Sequence, residues 1–209
     1  MGGAKAIVAV LVLAIAGGTG YWLYVEKQKR DERQRVTALL GDTTAQLRQA
    51  LSGPPAADLV TRIDGNLQAT KAPHLRELAD AAEHYIHGAR EIARRRADAE
   101  RLAREAAMSR RALAMHMAAA SGRDSYWIRV ASDLKKRVER DHFELDLSLK
   151  ALSKLLFDLP ESQKRLAAHV DASLLLEENE RKLAHEQAHQ AAKRAADELE
   201  KVRRLALPR

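Results

Sequence analysis

His185-Glu186-Gln187-Ala188-His189 is the densest chemical signal in the chain. Histidines four apart share one face of a helix and can grip Zn²⁺, while the glutamate between them polarises a bound water. A catalytic zinc needs a third protein ligand and a cleft around it. No Gly-x-x-His follows, and the acids within reach, Glu198 and Glu200, lie near the chain end. His84 and His87, with Asp80 and Glu83 beside them, form a second pair at i, i+3 spacing. They point away from the apolar seam of their helix and read as a solvated face. His142 falls between Val138 and Leu145 on an apolar face and reads as a hydrogen-bonded core histidine. The chain has no Cys, which excludes disulfides and thiolate metal sites.

The five residues from His185 to His189 resemble the zinc-metallopeptidase motif, and the resemblance extends no further along the chain. It implies a zinc-dependent peptidase with His185 and His189 as metal ligands. The flanking Lys182-Leu183-Ala184 and Gln190-Ala191-Ala192-Lys193-Arg194 read instead as a solvated coiled-coil helix. The expectation is a non-enzyme with no catalytic residue, no cofactor and no resident metal, His185 and His189 being the candidate ligands if one binds. No Gly-rich phosphate loop, Ser-His-Asp arrangement or paired-carboxylate cleft is legible, so no small-molecule substrate is identified.

Arg94-Arg95-Arg96, followed by Arg101, Arg104, Arg110 and Arg111, invites a phosphate or nucleic-acid reading. Glu91, Asp98 and Glu105 form an acidic row beside that face, and no aromatic side chain lies within the run to stack on a base. The net charge of +7 is interleaved with acids in the same way along the chain, so nucleic acid is not an expected partner. Arg96 and Arg110 fall on the helical seam, where they snorkel or pair with acids of neighbouring helices.

These groups must be carried by helices. Ala, Leu, Arg, Glu and Lys dominate, 31% of residues are charged and 4% are aromatic, a composition of long helices and coiled coils. No strand-like run rich in Val, Ile and Thr occurs. Breakers stand at Gly53-Pro54-Pro55, Lys71-Ala72-Pro73, Ser121-Gly122-Arg123-Asp124 and Asp158-Leu159-Pro160. Between them Val36, Leu40, Leu47 and Leu51 mark a first soluble helix, and Val60, Ile63 and Leu67 a short one. Leu75 to Ala120 carries an unbroken 3-4 seam that is large and apolar at its ends and Ala and Arg in the middle. A fourth helix from Ser125 to about Asp158 and a fifth from Glu161 to about Ala206 complete the set. The last three would be about 70, 50 and 70 Å long. The fifth should therefore overhang the fourth, leaving Ala192, Ala195, Leu199 and Val202 as candidates for a partner helix or self-association.

The N-terminus supplies location. Ala6 to Val25 carries no charge, and as a helix it would be about 30 Å long, the thickness of a bilayer's hydrocarbon core. Tyr21, Trp22 and Tyr24 sit where an interfacial aromatic belt belongs, followed by Lys27, Lys29 and Arg30. The rival is a cleaved signal peptide, with Lys5 as its charged start and Ala14-Ile15-Ala16 as a small-x-small site. Apolar residues continuing past that cut argue for the anchor. Lys27, Lys29, Arg30, Arg33 and Arg35 outnumber Lys5 and place the soluble part in the cytoplasm, with the periplasm as the alternative.

The sequence thus predicts an all-α chain with an N-terminal transmembrane helix followed by an elongated antiparallel helical bundle or coiled coil. Residues 1–25 are the anchor, 26–73 a membrane-proximal helix plus a short helix, and 74–209 a long antiparallel three-helix coiled-coil-like domain. The expected function is a single-pass scaffold in a bacterial-type inner (plasma) membrane, presenting a rod-like bundle to a protein partner or to itself. The alternative is an exported helical-bundle sensor or adaptor, anchored or released.

Overall fold

The computed structural model describes residues 3–119 and 125–206, with side chains from Tyr21 onward. The described residues form helices and turns, with no strand among them. The helices are α1 (Gly3–Ser52), α2 (Leu59–Gln68), α3 (Arg76–Ala118), α4 (Ser125–Ala167) and α5 (Glu178–Arg204), with a 3₁₀ turn at Ala172–Leu174 before α5.

Val36, Leu40, Leu47 and Ala50 recur at helical spacing on α1 and are fully buried, so one stripe of α1 faces the core. Gly53 and two prolines end it. α2 turns back beside α1 and buries Leu59 and Ile63, while Asn66 Nδ2 donates to Asp42 Oδ2 at 2.8 Å and to Thr43 Oγ1 at 3.0 Å. The chain into α3 is tied down by Glu32, whose carboxylate accepts the backbone N–H of His74 at 3.0 Å and meets His74 Nδ1 at 2.7 Å. The Arg35 guanidinium donates to the Lys71 carbonyl. α3 then runs beside α1, burying Leu78, Ala82, Tyr85, Ala89 and Ile92 along the expected seam. Ala81, Ile86 and Ala93 are buried too, because this half of α3 has neighbours on more than one side.

The expected break at Asp158-Leu159-Pro160 does not occur. α4 passes through Pro160 and ends at Ala167. A proline inside a helix leaves the carbonyl four residues earlier without its N–H partner. That carbonyl belongs to Leu156, and Arg181 Nη1 donates to it from α5 at 3.2 Å. The break falls at residues 168–177 instead, with the 3₁₀ turn inside it. α5 is correspondingly shorter than expected, about 40 Å, and α3 and α4 are each about 65 Å. Glu178 and Glu180 in its first turn and Lys201, Arg203 and Arg204 in its last complement the helix dipole.

α3 packs along α4, and α4 along α5, antiparallel in each case. The largest buried cluster joins α1, α2, α3 and α4 to the start of α5 through Leu40, Leu47, Ile63, Tyr85, Ile92 and Leu156. A buried polar chain threads it: Thr44 Oγ1 donates to the Leu174 carbonyl at 2.7 Å and lies 2.9 Å from Tyr85 Oη. Two small clusters follow outward, one of Ala99, Leu149, Ala192 and Ala195, the other of Leu113, Val138 and Val202.

Fifteen of the twenty residues in the uncharged run Ala6–Val25 precede Tyr21, and the side chains of those fifteen fall outside the described residues. Among the described residues no helix is long and apolar enough to cross a membrane. Tyr21, Trp22 and Tyr24 are exposed on α1. Lys29 pairs with Glu26 at 3.9 Å, and Lys27 and Arg30 are on the same exposed stretch. The break at Ser121-Gly122-Arg123-Asp124 also lies outside the described residues.

Candidate functional site

α1 ends at Ser52, about 30 Å short of the far tip of α3. Beyond that point α3 and α5 lie on either side of α4 with none of the described residues laid across them. The result is an open groove of about 590 Å³. Its floor is Leu145, Leu149 and the ring of His142 on α4. One wall is the α3 alanines Ala99, Ala103, Ala106, Ala107 and Ala114; the other is Ala191 and Ala195 of α5. Arg96, Glu100, Arg110, Arg111, Arg194 and Glu198 form the rim. A smaller cavity of about 190 Å³ shares Arg96, Leu149 and Ala191 with the groove and is bounded at its other end by Leu51 of α1. The groove therefore continues the track that α1 occupies lower down.

The rim is electrostatically uneven. Arg110 reaches across from α3 to Glu198 of α5 at 2.8 Å. Glu198 also accepts from Lys201 at 2.7 Å, and that bond, with the Arg110 charge, holds its carboxyl below the usual carboxylate range. Arg96, Arg111 and Arg194 have no ion pair among the described residues, and neither has Glu100. Along the outer face of α3, Arg90 pairs with Asp64, Arg94 with Glu91 at 3.8 Å and Arg101 with Glu105 at 2.9 Å, while Arg95 and Arg104 are exposed and likewise have no ion pair among the described residues.

His142 is buried, and its Nδ1 donates to the Val138 carbonyl at 2.9 Å, as a core histidine should. His84 and His87 are exposed. His185 Nδ1 lies 2.9 Å from the Ser153 carbonyl and 3.1 Å from Ser153 Oγ, so this nitrogen ties α5 to α4. The His189 ring stacks on that of His185, centroids 6.4 Å apart, and is exposed. No group of three or more His, Asp or Glu side chains is placed to hold a metal among the described residues. The two histidines face a helix rather than a cleft.

The overhang expected of α5 does not arise, because α4 runs two turns further than Pro160 suggested and α5 starts later. Ala192, Ala195, Leu199 and Val202 are all buried within the chain. Of these only Ala195 also lines the groove. The accessible small-residue surface is on α3 instead, at Ala103, Ala107 and Ala114. Sequence reasoning missed it because alanine at seam spacing looks the same whether a neighbour covers it or not. The available signal was the coincidence of alanine with seam arginines at 96 and 110. Large apolar residues would be expected there if a helix of this chain filled the seam.

Comparison of this chain with protein-family models, with curated proteins and with solved structures gives no match to any of them.

Proposed function

We propose that the chain is a single-pass membrane protein whose helical bundle is a scaffold for docking a protein partner, and that it is not an enzyme. The observation that carries this reading is the continuity of α1. One helix, Gly3–Ser52, contains the uncharged run Ala6–Val25 and then the core residues Val36, Leu40 and Leu47. No loop separates the two, so an anchored bundle would be held at a fixed distance from the lipid, about 16 Å of helix between Val25 and Val36. Exposed Tyr21, Trp22 and Tyr24 suit an interfacial belt, and Lys27, Lys29 and Arg30 suit anionic headgroups just beyond it. The basic flank argues for a cytoplasmic bundle under a bacterial-type plasma membrane. The groove supports docking as the activity, since it is a large, mostly apolar concavity whose walls are helices.

The test is fractionation of the full chain, with the intact mass of the mature protein. Resistance to alkaline carbonate extraction, with a chain retaining residues 1–16, is the expected result. A reporter fused after Arg209 should be active on the cytoplasmic side. A freely soluble protein beginning at Gly17 would overturn the anchor.

A further inference from the structure

We infer that the distal groove receives an amphipathic α-helix from another protein, with small or aliphatic residues on its inward stripe and Asp or Glu along both flanks. The inference rests on the reading of the bundle as a docking scaffold and is independent of membrane attachment.

Three observations converge. The first is continuity. α1 lies against α3 and the start of α5 as far as Leu51, and the same track then runs on uncovered. At the lower end α1 packs on α3 and reaches α5 through the Arg48–Glu180 ion pair at 2.9 Å, with a cavity of about 450 Å³ between them, so the space flanking α3 there already admits a helix. Its α3 wall runs about 27 Å from Arg96 to Ala114, alongside which about 18 helical residues can lie, and about two turns of these face the floor at His142–Leu149 and the α5 wall at Ala191–Glu198.

The second is the wall chemistry. Ala103, Ala107 and Ala114 project only methyl groups and are exposed. Walls of alanine let a helix axis come close, so the occupant needs bulk of its own only where it meets Leu145 and Leu149 on the floor. This is recognition of a helix face read as anchors at i, i+3, i+4 and i+7.

The third is charge. Arg110 and Glu198 neutralise each other across the rim. Arg96, Arg111 and Arg194 remain without an ion pair among the described residues, against a single unmatched acid, Glu100. A bidentate guanidinium is well suited to a carboxylate. Acidic flanks therefore fit the rim and basic flanks do not. A second copy of this chain is disfavoured on the same ground. Its exposed helical surfaces bring more Lys and Arg, within a net charge of +7.

The test uses the full chain in detergent or nanodiscs and synthetic helical peptides about 20 residues long. One has a Leu/Ala stripe flanked by Glu, a second the same stripe flanked by Lys, and a third Glu flanks with a Ser/Gln stripe. Fluorescence anisotropy should show saturable binding of the first and at least about tenfold weaker binding of the other two. A103W, which drives bulk into the groove from an exposed position, should reduce binding of the first peptide at least about tenfold while the melting temperature holds. Should A103W fold poorly, the double substitution Arg111→Glu with Arg194→Glu, both on the exposed rim, should reverse the preference toward the Lys-flanked peptide.

Equal affinity for Glu- and Lys-flanked peptides would overturn the inference, as would binding untouched by A103W. So would a concentration-dependent dimer that A103W dissolves, with no peptide bound. Vesicle flotation of the same samples separates the two proposals. Flotation without peptide binding removes the groove occupant and leaves the anchor; peptide binding without flotation does the reverse.

Discussion

The two halves of the bundle share α3 and α4 and differ in what lies across them. Near α1 and α2, the shared helices bury Tyr85, Ile92, Leu152 and Leu156 among Leu40, Leu47 and Ile63. Beyond Ser52, the same pair meets only α5 among the described residues, and the buried side chains fall into small groups, Ala99, Leu149, Ala192 and Ala195, then Leu113, Val138 and Val202, with Leu102, Leu199 and Trp127, stacked on His116, buried beside them. A fully buried Leu contributes about 1.5–3 kcal/mol, whereas each buried methylene-sized group contributes about 0.8. One end of the molecule is therefore fastened by a continuous block of large side chains and the other by fewer large ones set among alanines. The lesson is that alanine on a helical seam has two uses. It can bring two helices of the same chain close together, as at Ala192, or it can keep a wall low, as at Ala103.

The comparison can be broken most directly by removing equal bulk from each half. Leu156→Ala, at a fully buried position, should cost about 2–5 kcal/mol of unfolding free energy in urea, whereas Leu145→Ala on the groove floor should cost less than about 1.5. Equal losses would show that the halves are equally fastened. A native-state measurement sharpens the point. Amides of α3 between Arg96 and Ala114 should exchange at least about tenfold faster than those between Leu78 and Ile92. Uniform protection along α3 would erase the distinction.

Smaller effects test how the firm half is held. Arg181→Ala should cost about 1–2 kcal/mol, because the Leu156 carbonyl then loses its donor. In a Pro160→Ala background the penalty should shrink, since residue 160 then supplies the missing N–H. Additive losses in that double-mutant cycle would remove Arg181 from this role. The smallest effect is alkaline. Burial raises the Tyr85 hydroxyl above its ordinary value of 10.0. The unfolded tyrosine loses its proton near that value while the folded one keeps it. The contribution of Tyr85 is thus intact below about pH 10 and declines as pH rises beyond it. Y85F should cost about 1 kcal/mol at neutral pH and soften the alkaline fall in melting temperature.

The helical class was legible from composition, and the 3-4 spacing located Val36, Leu40, Ile63, Tyr85, Ile92 and Leu149 in the core. Breakers at Gly53 and Pro73 fell where helices end. Pro160 misled, because the rule for proline is local and its compensation is not: the donor that satisfies Leu156 sits on the next helix. That single error shortened α4, lengthened α5 and created an overhang that does not exist. The candidate site suffered for the same reason. Spacing tells which residues share a face, but whether Ala103 or Ala195 is covered depends on where α1 stops relative to α5. Only their three-dimensional arrangement settles that. His185 and His189 were correctly grouped on one face, yet the spacing was silent about Ser153, whose carbonyl holds the His185 Nδ1 at 2.9 Å and turns the ring toward α4.

The uninterrupted α1 makes orientation a matter of counting. Between Val25 and Asp31, before Glu32 engages His74, α1 is a largely exposed helix, and each residue in it carries everything downstream through about 100° and 1.5 Å. Deleting Gln28 alone would swing the groove more than a quarter of a turn around the shaft. The mouth that a tethered partner meets is thus aimed by the number of residues in a short stalk of about two turns.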